Sequence, residues 1–147
     1  MKLLMPLLFC PCFLFAQEQL IGYWDLVSWK ANKPNESSFY PYGENAQGSL
    51  SYSTDGVVNL FLINPGRSDE EKMEGKGYFV YTGDYKVVNS EVFHDVKNCS
   101  AKSWIGKEQR RLFDFSGDTL ILQSPPISTR VSNDQPATHT LKWLPIR

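Results

Sequence analysis

Histidine and cysteine are scarce in this chain: two histidines and three cysteines in 147 residues. Two of the cysteines, Cys10 and Cys12, sit in the apolar N-terminal stretch, which leaves Cys99 alone further on and no pairing for a disulfide framework. His94 and His139 are not clustered with one another or with Cys99, so a zinc or copper centre is not expected. Gly-x-Ser-x-Gly, a phosphate-binding loop and a dinucleotide fingerprint are also missing. These absences point to no metal and no cofactor. An excess of charge of one sign is lacking too: 15 basic residues stand against 16 acidic ones, for a net charge of −1. The basic residues are scattered, which removes the electrostatic case for a nucleic-acid partner.

Long hydrophobic runs are limited to Leu3–Phe15, which is short for a bilayer span and is interrupted by Pro6 and Pro11. With Lys2 before it and the small Ala16 after it, this segment reads as a signal peptide over residues 1–16, cleaved in the mature protein. The expectation is a secreted or periplasmic protein with no membrane span, folded as one domain over residues 17–147. Cys10 and Cys12 follow Phe9 and Pro11, where a lipidation signal would carry a small residue.

What the chain does have is short alternating runs rich in aromatic and β-branched residues, with no long segment of helical period. Eight strands are predicted, near 21–29, 48–53, 57–63, 78–87, 91–97, 107–115, 119–124 and 138–144. Asp69–Glu74 reads as a solvated loop or a single helical turn, and 125–137 as a long loop. Parity sets the hairpins. Thr54-Asp55-Gly56 makes a three-residue loop, Asn89-Ser90 a two-residue turn that pairs Tyr85 with His94, and Gly117-Asp118 a turn that pairs Phe113 with Leu122. The resulting inner face contains Trp24, Leu26, Leu50, Tyr52, Val58, Leu60, Leu62, Tyr85, Val92, His94, Val96, Gln109, Arg111, Phe113, Phe115, Leu120, Leu122, Leu141 and Trp143. The fold class is all-β: an eight-stranded antiparallel up-and-down barrel, which leaves no open edge and is either filled by side chains or holds one small ligand.

Gly22-x-Trp24 on the first strand is the pattern that lipocalins carry there. A longer ordered set accompanies it: Gly22–Ser28, Tyr40-Pro-Tyr-Gly-Glu44, Gly48–Tyr52, Asp55-Gly56, Pro65-Gly-Arg67, Gly83-Asp-Tyr85, His94, Trp104–Arg111 and Leu141-Lys-Trp143. Together these resemble the bacterial and fungal lipocalin-like domain family from about residue 20 to the chain end. The resemblance implies a lipocalin-type barrel and leaves ligand and activity unassigned. It also implies an arginine packed over Trp24. The chain departs from the family pattern in having Asp95 where a second histidine is common, and in ending Trp143-Leu-Pro-Ile-Arg147. Arg147 and Arg111 are the two candidate partners of Trp24.

Polar residues that interrupt the apolar inner face are the candidates for function. Buried charge is costly without a partner. An inward Arg111 and His94 therefore imply a polar pocket, a bound anion, or neutralisation by Glu44, Glu108 or Asp95. The candidate ligand-contacting set is His94, Arg111, Gln109, Tyr85, Tyr52, Glu44 and Trp104, with Arg111 holding an anionic head. Tyr40–Glu44 forms either a mouth loop or a plain turn covering a barrel end; Arg67 either lids the barrel or is solvated; Trp104 either caps the end or lines the pocket. Three functions are open. The first is a non-enzymatic binder whose partner is a small hydrophobic or amphipathic ligand. The second is an enzyme (isomerase, cyclase or hydrolase) with His94 as acid or base and Tyr85 beside it. The third is a filled barrel that binds proteins through outward aromatics such as Tyr23, Trp29 and Phe93.

Overall fold

The computed structural model of the chain describes residues 12–147, with side chains from Ala16 onward. The expected leader over residues 1–16 lies mostly outside the described residues. A short helix, α1 (Cys12–Leu20), crosses the expected cleavage point. It is followed by β1 (Gly22–Asn32), β2 (Gln47–Tyr52), β3 (Val57–Ile63), helix α2 (Asp69–Met73), β4 (Tyr78–Val88), β5 (Glu91–Cys99), β6 (Glu108–Ser116), β7 (Thr119–Gln123), β8 (Ile127–Ser128) and β9 (Pro136–Pro145). Each strand from β1 to β6 pairs antiparallel with the next, and β9 pairs with both β7 and β1. The result is a closed eight-stranded up-and-down barrel. The two-residue β8 pairs only with β9 and breaks the expected 125–137 loop.

The turns follow local chemistry. Gly56 takes φ of 87° in the three-residue loop between Ser53 and Val57, where Ser53 Oγ accepts from the Val57 N–H at 2.9 Å. Asn89, at φ of 55°, turns β4 into β5 so that Val88 pairs with Glu91 and Tyr85 with His94. Phe113 faces Leu122 across the Gly117-Asp118 turn. The acidic segment after Ser68 is a helix rather than a loop. Ser68 Oγ accepts from the Glu71 N–H and Glu71 reaches back to the Ser68 N–H, a reciprocal cap that suits an exposed helix of five residues.

Two bulges change what faces inward. Between Leu26 and Ser28 the register of β1 against β9 slips, so the inward set passes from Trp24 and Leu26 to Trp29 and Ala31. Trp29 is therefore 6% exposed and buried inside the barrel; it is not the outward aromatic expected from strict alternation. The second slip falls where β4 passes from Thr82 to Gly83: Lys97 is the extra residue on β5, and β4 keeps its alternation. A Cβ on Gly83 would sit 2.1 Å from the Asp95 carbonyl oxygen, so only glycine lets the two backbones approach this closely.

The two ends of the barrel differ. Leu20 from α1, Trp24, Tyr52, Tyr85 and Trp143 are all buried and close the floor. Trp24 donates its indole N–H to the Leu20 carbonyl at 2.9 Å and packs on Phe115, so neither arginine covers it. Arg147 instead pairs with Asp118 at 2.7 Å. The opposite end is ringed by the loops after β1, β3, β5 and β7 and opens onto a cavity.

Candidate functional site

A cavity of about 710 Å³ enters the barrel from the open end. Ligand sites commonly fall within roughly 300–1,000 Å³. Its walls are mostly apolar and aromatic, including Trp29, Leu60, Leu62, Phe79, Trp104 and Leu141. His94, Arg111, Tyr81 and His139 interrupt them.

His94, on β5, is buried with a hydroxyl on each ring nitrogen. Tyr52 Oη lies 2.8 Å from Nε2 and Tyr81 Oη 2.6 Å from Nδ1. Burial, reinforced by the nearby Arg111 charge, pushes the imidazole down to about 3, so it is neutral at physiological pH. Burial likewise raises both phenols, Tyr81 to about 12 and Tyr52 well above its ordinary value. Neither nitrogen of His94 is left free to take a proton from a substrate. The geometry makes this residue a fixed part of a hydrogen-bonded row rather than a general base.

Arg111, on β6, points inward beside it. One guanidinium nitrogen donates to the Arg110 carbonyl at 2.7 Å, and the group lies 5.9 Å from the centre of the Trp104 ring. Among the described residues, no carboxylate forms an ion pair with it. The three acids considered as its partners go elsewhere: Glu108 pairs with Lys86 at 3.2 Å, Asp95 with Lys97, and Glu44 is exposed. Burial pushes the guanidinium below its usual range. The cavity wall and rim carry Lys76, Lys102, Arg111 and Arg130 against one acid, Asp134, although the chain as a whole is slightly negative. Lys76 is paired with Glu74 outside the cavity. The field inside still favours an anion.

The expected residues thus separate. His94, Arg111 and Trp104 line the cavity together. Tyr52 is sealed behind His94 on the floor side. Tyr85 pairs with His94 across the strands but sends its hydroxyl away, to the Ser53 carbonyl at 2.8 Å. Gln109 is half-buried opposite His94 and, like Glu44, is not in the cavity wall. From the Tyr40–Glu44 loop it is Tyr42 that enters the wall, its ring edge-on to Trp29 at 5.0 Å. Arg67 donates to the Lys76 carbonyl at 3.3 Å and is not in the cavity wall. Cys99 ends β5 rather than lying in a loop, and its sulfur accepts from the Ala101 N–H.

Tyr81 and His139 are hydrogen-bonding wall residues outside the expected set. Tyr81 shares strand and parity with Tyr85, and that alternation was signal enough to find it. His139 lies on β9, and Trp29 donates its indole N–H to His139 Nδ1 at 3.1 Å. That pair joins residues 110 apart in sequence and depends on the β1 bulge. No set of three or more His, Cys, Asp or Glu side chains among the described residues is placed to hold a metal. No described helix is long and apolar enough to cross a membrane.

Among solved structures, that of an uncharacterized protein from Bacteroides eggerthii is similar at 12% identity, over 84% of this chain and 98% of that one, with a TM-score of 0.46. That likeness carries no argument about function. No curated protein matches the chain. The family described as "Lipocalin-like domain" matches residues 21–145, nearly the whole barrel, and the chain belongs to that family.

Proposed function

We propose that the protein binds a small, partly apolar anion inside its barrel, with Arg111 as the anchor. The observation that carries this reading is a buried guanidinium with no carboxylate partner among the described residues, set in the wall of a mostly apolar cavity. A desolvated charge of this kind costs stability unless something compensates it. An anionic ligand head supplies the compensation, and the aromatic and aliphatic walls bury the ligand body. Non-enzymatic binding fits better than catalysis, because both nitrogens of His94 are already engaged.

The test is a charge series of equal chain length. Decanoate and decanesulfonate, with decanol and decylamine as the neutral and cationic counterparts, are titrated by calorimetry, and stoichiometry is read by native mass spectrometry. The two anions should bind one to one and at least about tenfold more tightly than the alcohol, a difference of ~1.4 kcal/mol. Equal affinity for decanol and the anions, or preference for the amine, would remove the anchor. Uptake of none of the four would remove the reading as a whole.

A further inference from the structure

The positions of the protons in the cavity wall follow from the hydrogen bonds behind it. His94 is neutral and carries one N–H, yet it has a tyrosine hydroxyl on each nitrogen. One hydroxyl must therefore donate to the ring while the other accepts from it, and the accepting tyrosine must place its own proton elsewhere. Tyr52 is buried outside the cavity wall, and among the described residues its hydroxyl has no partner besides His94. Its proton has one acceptor, His94 Nε2. The ring proton then sits on Nδ1 and is donated to Tyr81. Tyr81, a residue of the cavity wall, is left with its hydroxyl proton to offer.

The same reasoning applies across the barrel with the opposite tautomer. Trp29 Nε1–H can only donate, so His139 Nδ1 accepts and the proton of the neutral ring lies on Nε2. His139 is 4% exposed and belongs to the cavity wall, and among the described residues its Nε2 has no hydrogen-bond partner. A buried N–H without an acceptor is costly and uncommon in folded proteins.

We propose that the inner wall is a donor-only cradle, made of the Arg111 guanidinium, the Tyr81 hydroxyl and His139 Nε2–H, and that the ligand head it takes is a carboxylate. Three side chains supply hydrogens, and no acid in the wall comes from the interior strands; Asp134 belongs to the loop before β9. An alcohol, amine or amide head would bring protons for which these three groups offer no acceptor. A carboxylate has only acceptors and can receive from all three at once. Tyr52, from behind the wall, and Trp29, from within it, act as positioning residues for the head group: they fix which nitrogen of each histidine holds the proton. This inference rests on binding of an anion in the barrel and names its chemistry and two further contacts.

Two measurements test it. In the free protein at pH 7, long-range ¹H–¹⁵N spectra of the imidazoles should show a pyrrole-type Nδ1 for His94 and a pyrrole-type Nε2 for His139. A protonated Nε2 on His94, or a protonated Nδ1 on His139, overturns the proton assignment without any ligand present. Decanoate affinity is then compared for Tyr81→Phe and His139→Asn, the latter retaining a carbonyl oxygen that can accept from Trp29. Each should weaken binding about ten- to hundredfold, the range for a hydrogen bond to a charged group. Addition of decanoate should also move the His139 Nε2–H resonance downfield in the parent protein. If the parent protein binds decanoate but both variants match it, the cradle fails while the Arg111 anchor stands. If the parent protein binds no anion, both fail together.

Discussion

Arg111→Met is expected to weaken decanoate binding by about thirty- to a thousandfold and, in the same protein, to raise the melting temperature. Loss of one partner of a desolvated charge pair costs roughly 2–4 kcal/mol of affinity, which sets that range. The opposite sign in stability follows from what surrounds the side chain in the absence of ligand. Its polar contacts are one backbone carbonyl and the face of Trp104, with no carboxylate among the described residues to compensate its desolvation. Methionine has similar length, fills irregular apolar space and carries no charge to bury. A gain of about 1 kcal/mol, a few degrees in a domain of this size, is the expected direction and scale. Calorimetric titration and scanning calorimetry read the two effects separately. A lower melting temperature would make Arg111 a structural residue, and unchanged affinity would detach it from the ligand.

Acid should destabilise the barrel well above the pH at which carboxylates ordinarily titrate. His94 is held down to about 3 and His139 to about 4, in both cases by burial first and by the Arg111 charge second. The groups facing them are Tyr52, Tyr81 and Arg111 around His94, and Trp29 and Arg111 around His139; none is an acid that would favour an imidazolium. Because the folded values lie below the unfolded value near 6.5, the unfolded chain binds more protons as pH falls below 6.5. The stability of the neutral forms is therefore fully present above that value and is lost on the way down towards 4 and 3. Each pH unit in this window is worth ~1.4 kcal/mol per histidine, so the two together remove about 4 kcal/mol between pH 7 and pH 5. Urea unfolding followed by tryptophan fluorescence should show the midpoint falling steeply across that interval. A flat midpoint from pH 7 to 5 would mean that neither histidine is held neutral by the fold.

The barrel was legible because its hairpins are short and their turns are set by local chemistry. Gly56, Asn89 and Gly117 each sit at positive φ where the sequence offers little else that would serve, and apolar parity then places Leu50 against Leu60 and Phe113 against Leu122. Arg111 and His94 could be assigned to the interior by the same alternation, whereas Trp104 lies between β5 and β6, where no strand period decides between capping the end and lining the pocket. The remainder of the site depends on contacts that alternation does not encode. One bulged residue in β1 turns Trp29 inward, and only then can it reach His139 on the strand that closes the barrel. Tyr81 and Tyr85 share the inward parity of β4, but alternation does not encode that Tyr81 meets His94 while Tyr85 leaves for Ser53. Glu44 lies in a loop without period, and nothing local decides whether its carboxylate turns inwards or into solvent.

The most direct test of ligand binding in this barrel is a crystal structure with 10-bromodecanoate, using the bromine anomalous signal to fix the direction of the chain. The carboxylate should lie within hydrogen-bonding distance of the Arg111 guanidinium, with bromine towards the open end beside Tyr42 and Val131. A reversed molecule, with bromine deep in the barrel and its carboxylate on Lys102 or Arg130 at the rim, would contradict the account, as would a cavity that stays empty while ligand density appears only on the outer surface.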